Sequence, residues 1–285
     1  MAGKFSGILL CSDLDGTLTP DGRNISDSDL EAIRYFESEG GYFTIVSGRF
    51  PAHIASVASG TMPVVPPRGV GIDSSKVYQP SVEGAFCVNT FVVALNGSVI
   101  ADIRKTPPEF VWTRVVDINV VRRLGEKIDE IPGIDALIIH SAETSVTLKP
   151  GDPRNAALIE RAVSSPVYKF ILMNGTEIGP ELRAYAEKTF PEVTFERSWK
   201  AGLEGRPKDG GKGNAVNALR ELLGGKSVIH TVVCVGDYEN DISMIRYADI
   251  GYAVSNAVPE VIAAADRVTV SCHENAIADI ISKLG

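Results

Sequence analysis

The sequence predicts an α/β protein whose core is a doubly wound parallel sheet, with a second, α+β domain inserted into it. Short apolar runs alternate with segments of helical period before about residue 97 and again after about residue 198, as in strand–helix–strand units. Polar residues follow several of these runs, as at the carboxyl ends of parallel strands. Between the two parts, the order of strand-like and helical segments changes. Together these observations predict a Rossmann-like core with an insertion.

The domain boundaries follow from that change of pattern. We place the core in residues 1–97 and 198–285 and the inserted α+β domain in residues 98–197. Within the insertion, strand-like runs are interleaved with helical stretches, with strands at 136–140, 145–148, 167–173 and 193–195 and helices near 117–130, 153–163 and 180–189. Residues 60–86 are rich in Pro and Gly and have no clear period, so we interpret them as an irregular insertion or surface loop.

The core begins with an apolar run of strand length, Ile8-Leu9-Leu10-Cys11, that leads into Asp13. Ser26 is a suitable N-cap for the first helix, which is expected to end at Gly40-Gly41. The remaining core elements are predicted from the same alternation: strands at 42–46, 91–95, 228–235 and 250–254, and helices that begin at 51 and 212 or span about 242–247, 258–265 and 276–284.

Composition excludes several classes of function. The chain has 285 residues, 44% of them hydrophobic, so it can bury a large core. Its net charge of -8 argues against a broad nucleic-acid-binding face. No apolar run has membrane-spanning length, and the N-terminal run is too short for a secretory signal. The four cysteines form no CxxC pair and are expected to be buried free thiols. We therefore expect a cytoplasmic protein without a membrane partner, and no pattern specifies an oligomeric state.

Two carboxylates follow the first predicted strand. Asp13 and Asp15 are two residues apart and precede Gly16-Thr17. On an extended backbone such residues face the same way, so both side chains would point into one small volume. Two anions this close repel each other unless a cation or a shared proton offsets the charge. The pair suits a Mg²⁺-assisted carboxylate nucleophile and its acid/base partner, although an acidic loop after a strand is the simpler interpretation of two aspartates alone.

Further polar groups follow predicted strands or open predicted helices. Ser47 follows the second strand and Lys212 opens a helix, while Asp237, Asn240 and Asp241 follow the most apolar strand of the C-terminal part. Each has an ordinary explanation by itself, such as a helix cap, a solvated lysine or acids at a helix start. Their occurrence in this order, after the two N-terminal carboxylates, makes chance agreement a poor explanation.

These motifs resemble those of the haloacid dehalogenase (HAD) superfamily of phosphohydrolases. The matching segments are Asp13-Leu14-Asp15-Gly16-Thr17-Leu18, Ser47-Gly48-Arg49, Lys212-Gly213 and Gly236-Asp237-Tyr238-Glu239-Asn240-Asp241. The insertion between the second and third motifs resembles the C2 cap of the Cof-type sugar-phosphatase branch, subfamily IIB. Leu95-Asn96-Gly97 and Ser255-Asn256-Ala257 resemble that branch as well. The resemblance covers nearly the whole chain.

The resemblance implies a Mg²⁺-dependent phosphatase in which Asp13 is the nucleophile and forms an aspartyl-phosphate. Asp15 would act as general acid and base and would give its backbone carbonyl to the metal. Asp237 would complete the protein ligands with Asp13, and Asp241 would orient them from outside the coordination shell. Hard oxygen donors of this kind suit Mg²⁺.

The phosphoryl group would be bound by a separate set of residues. The resemblance assigns Ser47, Gly48 and Asn240 to the phosphoryl oxygens and Lys212 to the charge of the transition state. A cation at a helix N-terminus, itself electropositive, suits that role. The substrate would be a small phosphorylated metabolite, such as a sugar phosphate. The role of Arg49 stays open, because it could simply pair with an acidic neighbour.

Three other functions use similar residues. A phosphomutase also forms an aspartyl-phosphate and can carry a similar cap. A receiver-like signalling protein uses an acidic Mg²⁺ pocket, a phosphorylated Asp and a Lys, but it should be a single short domain without an insertion. A catalytically silent binding protein should have lost one of the motif residues, and none is missing from this sequence.

Overall fold

The computed structural model describes residues 3–60, 87–142 and 144–284. The predicted irregular insertion at 60–86 therefore lies, from residue 61 onward, outside the described residues. The described chain divides into two compact units. The first contains residues 3–60, 87–112 and 212–284, and the second contains the described residues between 113 and 211.

Most strands and helices lie where the sequence predicts them, but strands at 99–102, 109–113, 202–207 and 267–268 were not predicted. The strands are β1 (Ile8–Ser12), β2 (Tyr42–Ile45), β3 (Val92–Ala94), β4 (Val99–Asp102), β5 (Glu109–Thr113), β6 (Ala136–Ser141), β7 (Ser145–Leu148), β8 (Val167–Met173), β9 (Val193–Trp199), β10 (Gly202–Pro207), β11 (Thr231–Gly236), β12 (Ile250–Ala253) and β13 (Arg267–Val268). The α-helices are α1 (Asp27–Ser38), α2 (Pro51–Ala58), α3 (Ile118–Glu126), α4 (Asn155–Ala162), α5 (Pro180–Thr189), α6 (Lys212–Leu222), α7 (Ile242–Tyr247), α8 (Pro259–Ala264) and α9 (Ala276–Lys283).

The first unit is built on a parallel sheet with the strand order β13-β12-β11-β1-β2. Every neighbouring pair in this sheet is parallel, and Cys11 of β1 lies opposite Cys234 of β11. Because β11, β1 and β2 are adjacent and run the same way, the residues that follow them meet at one edge of the sheet. The predicted fold class, a parallel α/β core with a separate α+β part, is confirmed.

Local sequence explains where the first helix begins and which face it buries. The Ser26 hydroxyl accepts the backbone N–H of Asp29 at 3.1 Å, which satisfies a donor that has no partner within the helix. Ile33 and Phe36, three residues apart, are fully buried, and the ring of Phe36 packs against Phe5. This helix packs against α9 and β2 on one side of the sheet.

On the other face of the sheet, helices α6 and α7 close an apolar core. Leu9 and Cys11 of β1, which alternate with Leu10, share a buried cluster with Val216 and Leu219 of α6. The alternation places one set of β1 side chains against each helical layer, so burial on both faces holds the strand. All four cysteines are free and buried, as predicted.

A small antiparallel element extends the first unit. β3 pairs antiparallel with β4, the three strands β3-β4-β5 form one sheet, and Val93 bridges to Val46 beyond β2. The change of pattern in the sequence predicts that the inserted domain spans residues 98–197, which includes β4. Pairing with β3 instead keeps this strand in the first unit, so the boundary between compact units lies at 112/113 and not at 97/98.

The second unit has an antiparallel sheet with the order β7-β6-β8-β10-β9. One face carries an apolar cluster shared with α3, α4 and α5, including Leu137, Leu172 and Leu203. On β10, alternation turns Glu204 away from that cluster, where it pairs with Lys169 at 2.5 Å. Strand β10, absent from the prediction, pairs with β8 and β9 and moves the second boundary to 211/212. That this unit acts as a cap stays a prediction.

No helix in the described part of the chain is long and apolar enough to span a membrane.

Replacing Ser26 by Ala is expected to lower the unfolding free energy by about 1 kcal/mol, the usual effect of losing an N-cap. Urea unfolding followed by circular dichroism measures the change. Ser38→Ala in the same helix is the matched control, because this exposed hydroxyl bonds only to the carbonyl of Tyr35 near the C-terminal end. Its effect should stay within about 0.5 kcal/mol. Equal losses in the two variants would contradict the cap assignment.

Candidate active site

The site lies at the carboxyl edge of the parallel sheet. Asp13 directly follows β1, Ser47 follows β2, and Asp237 directly follows β11. Lys212 is the first residue of α6, and Asp241 lies in the short turn before α7. The topology therefore brings together groups from three distant parts of the chain.

Lys212 holds two of these carboxylates together. Its ammonium lies 2.5 Å from Oδ1 of Asp13 and 2.5 Å from Oδ1 of Asp241, and its side chain is fully buried. Burial alone would lower the pKa of this ammonium, but the two carboxylates outweigh burial and raise it above the ordinary 10.5. Lys212 is therefore a permanent cation at the floor of the site.

Asp241 is saturated by its neighbours. One oxygen accepts the ammonium of Lys212, and the other accepts the backbone N–H groups of Asp237 at 3.0 Å and Tyr238 at 3.1 Å. A side chain at Gly236 would collide with this carboxylate, at 2.4 Å from its Cγ, so glycine there makes room for it. Asp241 is thus fixed in place and has little left to offer a ligand.

Asp13 and Asp237 are the carboxylates with oxygen to spare. Oδ1 of Asp237 accepts the Thr17 hydroxyl at 3.2 Å, and Oδ1 of Asp13 is taken by Lys212. Oδ2 of each has no hydrogen-bond donor among the described residues. Burial and the charge of Asp241 raise the pKa of Asp13 well above its ordinary value and that of Asp237 to about 7. The positive charge of Lys212 therefore does not offset burial and the charge of Asp241 at either carboxylate.

This donor set fits a hard divalent cation. One carboxylate oxygen from each of Asp13, Asp237 and Asp241 lies within 4.8 Å of the other two. Among the described residues Lys212 is the only cation that contacts this group, so the three carboxylates carry an excess of negative charge, which a cation such as Mg²⁺ offsets with oxygen ligands. The residues present therefore fit the metal that the motifs imply.

Asp15 occupies a different environment from Asp13. The regular strand ends at Ser12, so the alternation that would place both carboxylates in one volume does not extend to Asp15. Its side chain is 48% exposed, and both of its oxygens bond to the guanidinium of Arg49, at 2.8 and 2.5 Å. Arg49 thus pairs with an acidic neighbour, one of the possibilities that the sequence left open. The charge of Asp15 still contributes to the raised pKa of Asp13, so the two groups remain neighbours.

The second and fourth motifs meet through Asn96, which the sequence indicated only as part of a segment, Leu95-Asn96-Gly97, resembling the Cof-type branch. Ser47 is buried, and its hydroxyl accepts the backbone N–H of Arg49 at 3.2 Å. The amide of Asn240 donates to Oδ1 of Asn96 at 3.0 Å. A Cβ on Gly48 would lie 2.8 Å from that same oxygen. The residues predicted to bind phosphate therefore lie on loops that share Asn96.

Two further residues that hold the site together could not be recognised from the sequence, because their hydrogen-bond partners lie far away along the chain. Thr17 was quoted as part of the first motif, but its bond to Asp237 spans 220 residues. Asn256 donates to the carbonyl of Gly16 at 2.8 Å and accepts the N–H of Cys272 at 2.9 Å, so it ties the first motif to the C-terminal segment. The only sequence signal for Asn256 was its position in a motif-like segment, Ser255-Asn256-Ala257.

A family model and several known proteins match nearly the whole chain. The family model of haloacid dehalogenase-like hydrolases matches residues 10–281. YxeH of Bacillus subtilis (strain 168), whose name refers to a phosphatase, is 43% identical over 281 residues, 97% of each chain. YitU of the same organism is named a 5-amino-6-(5-phospho-D-ribitylamino)uracil phosphatase. It is 26% identical over 289 residues, which cover 96% of each chain.

Solved structures agree on the fold. BT4131, described as a sugar phosphatase of HAD subclass IIB, superposes with a TM-score of 0.73 at 20% identity, covering 97% of this chain and 98% of that chain. TM0651 from Thermotoga maritima gives a TM-score of 0.71 at 21% identity, covering 99% and 98%. At these identities the two structures show the fold alone.

A buried carboxylate paired with a lysine, at the carboxyl edge of a parallel sheet, defines an α/β enzyme with an acidic active site. The family match identifies which one: the chain belongs to the haloacid dehalogenase-like hydrolases, and it is a phosphatase. The resemblance noted in its motifs is confirmed.

The raised pKa of Asp237 predicts how the stability of the metal-free protein depends on pH. The folded protein holds this proton more tightly than the unfolded chain, with a pKa of about 7 against an ordinary 3.8. Stability from this group is therefore present at low pH and lost as pH rises through that range. Asp237→Asn cannot ionise, so the wild type should lose stability relative to the variant between about pH 5 and about pH 7.

Urea unfolding in excess chelator measures this difference. Asp21→Asn is the control, because hydrogen bonds from the backbone N–H of Asn24 and its neighbours lower the pKa of Asp21, so its carboxylate stays ionised across this window. If the unfolding free energy of the wild type falls no further than that of Asp237→Asn as the pH rises, Asp237 does not have the raised pKa on which this prediction rests.

Proposed function

We propose that this phosphatase hydrolyses a small phosphate monoester, such as a sugar phosphate, with Mg²⁺ and through an aspartyl-phosphate on Asp13. The observation that carries the proposal is the buried contact between Asp13 and Lys212 at 2.5 Å, next to Asp237. In this arrangement Lys212 holds one oxygen of Asp13 and the other oxygen is available to react, with Asp237 as an acidic neighbour.

Asp13 suits the role of nucleophile. Phosphate-monoester hydrolysis is among the slowest uncatalysed reactions, and a carboxylate nucleophile divides it into two in-line displacements. Oδ2 of Asp13 would attack phosphorus as the bond to the leaving alkoxide breaks. Lys212 holds Oδ1, which keeps the attacking oxygen in one orientation and places positive charge where the phosphoryl group accumulates negative charge.

Asp13, Asp237 and the backbone carbonyl of Asp15 would hold Mg²⁺, while Asp241 positions this group from outside. When bound, the ion would neutralise the clustered carboxylates and draw negative charge from the phosphoryl oxygens. Support comes from the bonds of Asp241, whose two oxygens are already engaged by Lys212 and two backbone N–H groups. A carboxylate so occupied orients its neighbours better than it binds a ligand.

Asp15 would protonate the leaving oxygen and then take a proton from the water that attacks the aspartyl-phosphate. Its exposed position suits proton exchange with a substrate that enters from solvent. A carboxyl that carries a proton cannot accept two hydrogen bonds from Arg49 as a carboxylate does. The contact with Arg49 must therefore loosen whenever Asp15 carries the proton, before the leaving oxygen takes that proton and again after the attacking water gives one up.

The phosphoryl oxygens would be bound by Ser47, Gly48 and Asn240. Ser47 and Asn240 are nearly fully buried polar side chains on the two loops beside Asp13. Fixed donors aimed at the position of developing charge are the usual means of stabilising such a transition state.

The substrate class rests on relatives and on the second unit. Residues 98–197 were predicted to act as a cap, and most of them lie in the second unit. We propose that the second unit contributes to the choice of leaving group. YitU is named for a phosphoribityl substrate and BT4131 is described as a sugar phosphatase, which supports a phosphorylated polyol or sugar. The phosphatase names favour hydrolysis over a mutase reaction. The two compact units and the family match argue against a receiver.

Removal of the metal should abolish turnover and lower stability. An ion that binds only the folded state stabilises it by about 2.7 kcal/mol at a hundredfold excess over its dissociation constant. We expect Mg²⁺ to raise the melting temperature of the chelator-treated wild type and to restore phosphate release. Asp237→Asn should show little of this rise, and KCl at equal ionic strength should have no such effect. Full turnover in excess chelator would refute the metal requirement.

Two matched amide variants test the division of labour between the carboxylates. Asp13→Asn keeps the shape but removes the nucleophile, so an activated aryl phosphate should give neither a burst nor steady turnover. Asp15→Asn keeps the nucleophile and loses the proton shuttle, which is typically worth about 10²–10⁴-fold. It should release one equivalent of leaving group and then stall.

Stopped-flow absorbance follows the leaving group, and a phosphate assay follows the second step. A burst from Asp13→Asn would mean that another residue is the nucleophile. Transfer of the phosphoryl group to an added sugar, without release of free phosphate, would indicate a mutase.

A further inference from the structure

The turn at Leu95, Asn96 and Gly97 has an unusual backbone. Their φ angles are 51°, 55° and 81°, all in the left-handed region. Glycine adopts this region freely, asparagine tolerates it, and leucine does so at a cost in free energy. Among the described non-glycine residues, only Asn275 shares a positive φ with Leu95 and Asn96. Consecutive strained residues persist only where surrounding contacts fix them.

The contacts that fix this turn come from the second motif. The N–H of Leu95 donates to the carbonyl of Arg49 at 3.0 Å, and the N–H of Asn96 donates to the carbonyl of Ser47 at 3.1 Å. The turn therefore runs alongside the loop that begins at Ser47. Its strained backbone places the buried side chain of Asn96 beneath Gly48, where a Cβ would approach the Asn96 Oδ1 to 2.8 Å.

From there Asn96 reaches the fourth motif. Its Oδ1 accepts a hydrogen bond from Nδ2 of Asn240 at 3.0 Å. The other end of the Asn240 amide, Oδ1, is buried and has no hydrogen-bond partner within the described part of the chain. Nothing at that end resists rotation of the amide by half a turn, so its orientation depends on the bond to Asn96.

We propose that Asn96 is a positioning residue that keeps the N–H donors of Asn240 available to a phosphoryl oxygen. One proton of the Asn240 Nδ2 group is held by Asn96, and the second is left for the ligand. If the amide turned over, its carbonyl oxygen would face the phosphoryl anion and repel it. The inference rests on the proposed function, because it assumes that Asn240 contacts the phosphoryl group.

A double-mutant cycle tests this coupling in the full-length, Mg²⁺-supplied enzyme. Asn96→Gly removes the side chain while glycine keeps the positive φ, and Asn240→Ala removes the amide that Asn96 holds. The readout is the inhibition constant of inorganic phosphate against an aryl phosphate substrate, together with kcat and KM. Each single change should weaken phosphate binding about 10-fold or more, the effect of losing a hydrogen bond to a charged group. The double variant should be no weaker than Asn240→Ala, since coupled residues are not additive.

A control separates positioning from general loosening of the fold. Asn89 also bonds the backbone through both ends of its amide, to Phe43 N–H and the Gly41 carbonyl, and takes no part in the site. Asn89→Ala should lower the melting temperature and leave the phosphate inhibition constant unchanged. An equal weakening by Asn89→Ala, an unchanged constant in Asn96→Gly, or additive effects in the double variant would each overturn the inference.

The failure of this inference can be told from failure of the proposed function. If Asn240→Ala weakens phosphate but Asn96→Gly does not, only the coupling is wrong; if the wild type neither releases nor binds phosphate, the function itself is wrong. Should Asn96→Gly not fold, NMR of the unmutated chain gives the answer. One Asn240 Nδ2 proton should be protected from exchange before phosphate is added, and equal fast exchange of both protons would overturn the proposal.

Discussion

The buried ammonium of Lys212 is the contact on which the rest of the site depends. It ties the start of α6 to Asp13 after β1 and to Asp241 after β11, at 2.5 Å each. A buried charge without a partner is strongly destabilising, so the folded state favours the arrangement in which these three segments meet. The packing of the core and the assembly of its acidic site are therefore energetically linked.

That contact does not balance the charge around it. Three carboxylates share one ammonium, and burial together with Asp241 raises the pKa of both Asp13 and Asp237. Asp15, two residues from Asp13, is exposed and paired with Arg49 instead. Two aspartates in one short motif thus meet opposite environments, a common way to give two carboxylates different chemical roles. The remaining negative charge is what makes the site receptive to a cation.

Much of this could be predicted from the sequence, because it depends on local pattern. Apolar periodicity located four of the five strands of the parallel sheet and most helices, and Ser26 and Pro51 marked where two helices begin, as the structure has them. The positions of Asp13 and Asp237 directly after strands indicated that they would meet at one edge, and their proximity bears this out. The spacing of residues along a strand or helix is a property of the backbone alone, so it can be recognised without a partner.

Tertiary structure decided whatever depends on which segment lies beside which. Strands β4 and β10 moved both boundaries between the compact units, because antiparallel pairing with β3 and β8 outweighed the local change of pattern. The orientation of Asp15 was set by Arg49, 34 residues away, and that of Asn240 by Asn96, 144 residues away. Hydrogen bonds and ion pairs of this kind are formed across the fold, so their energies favour one side-chain direction only after distant segments have packed together.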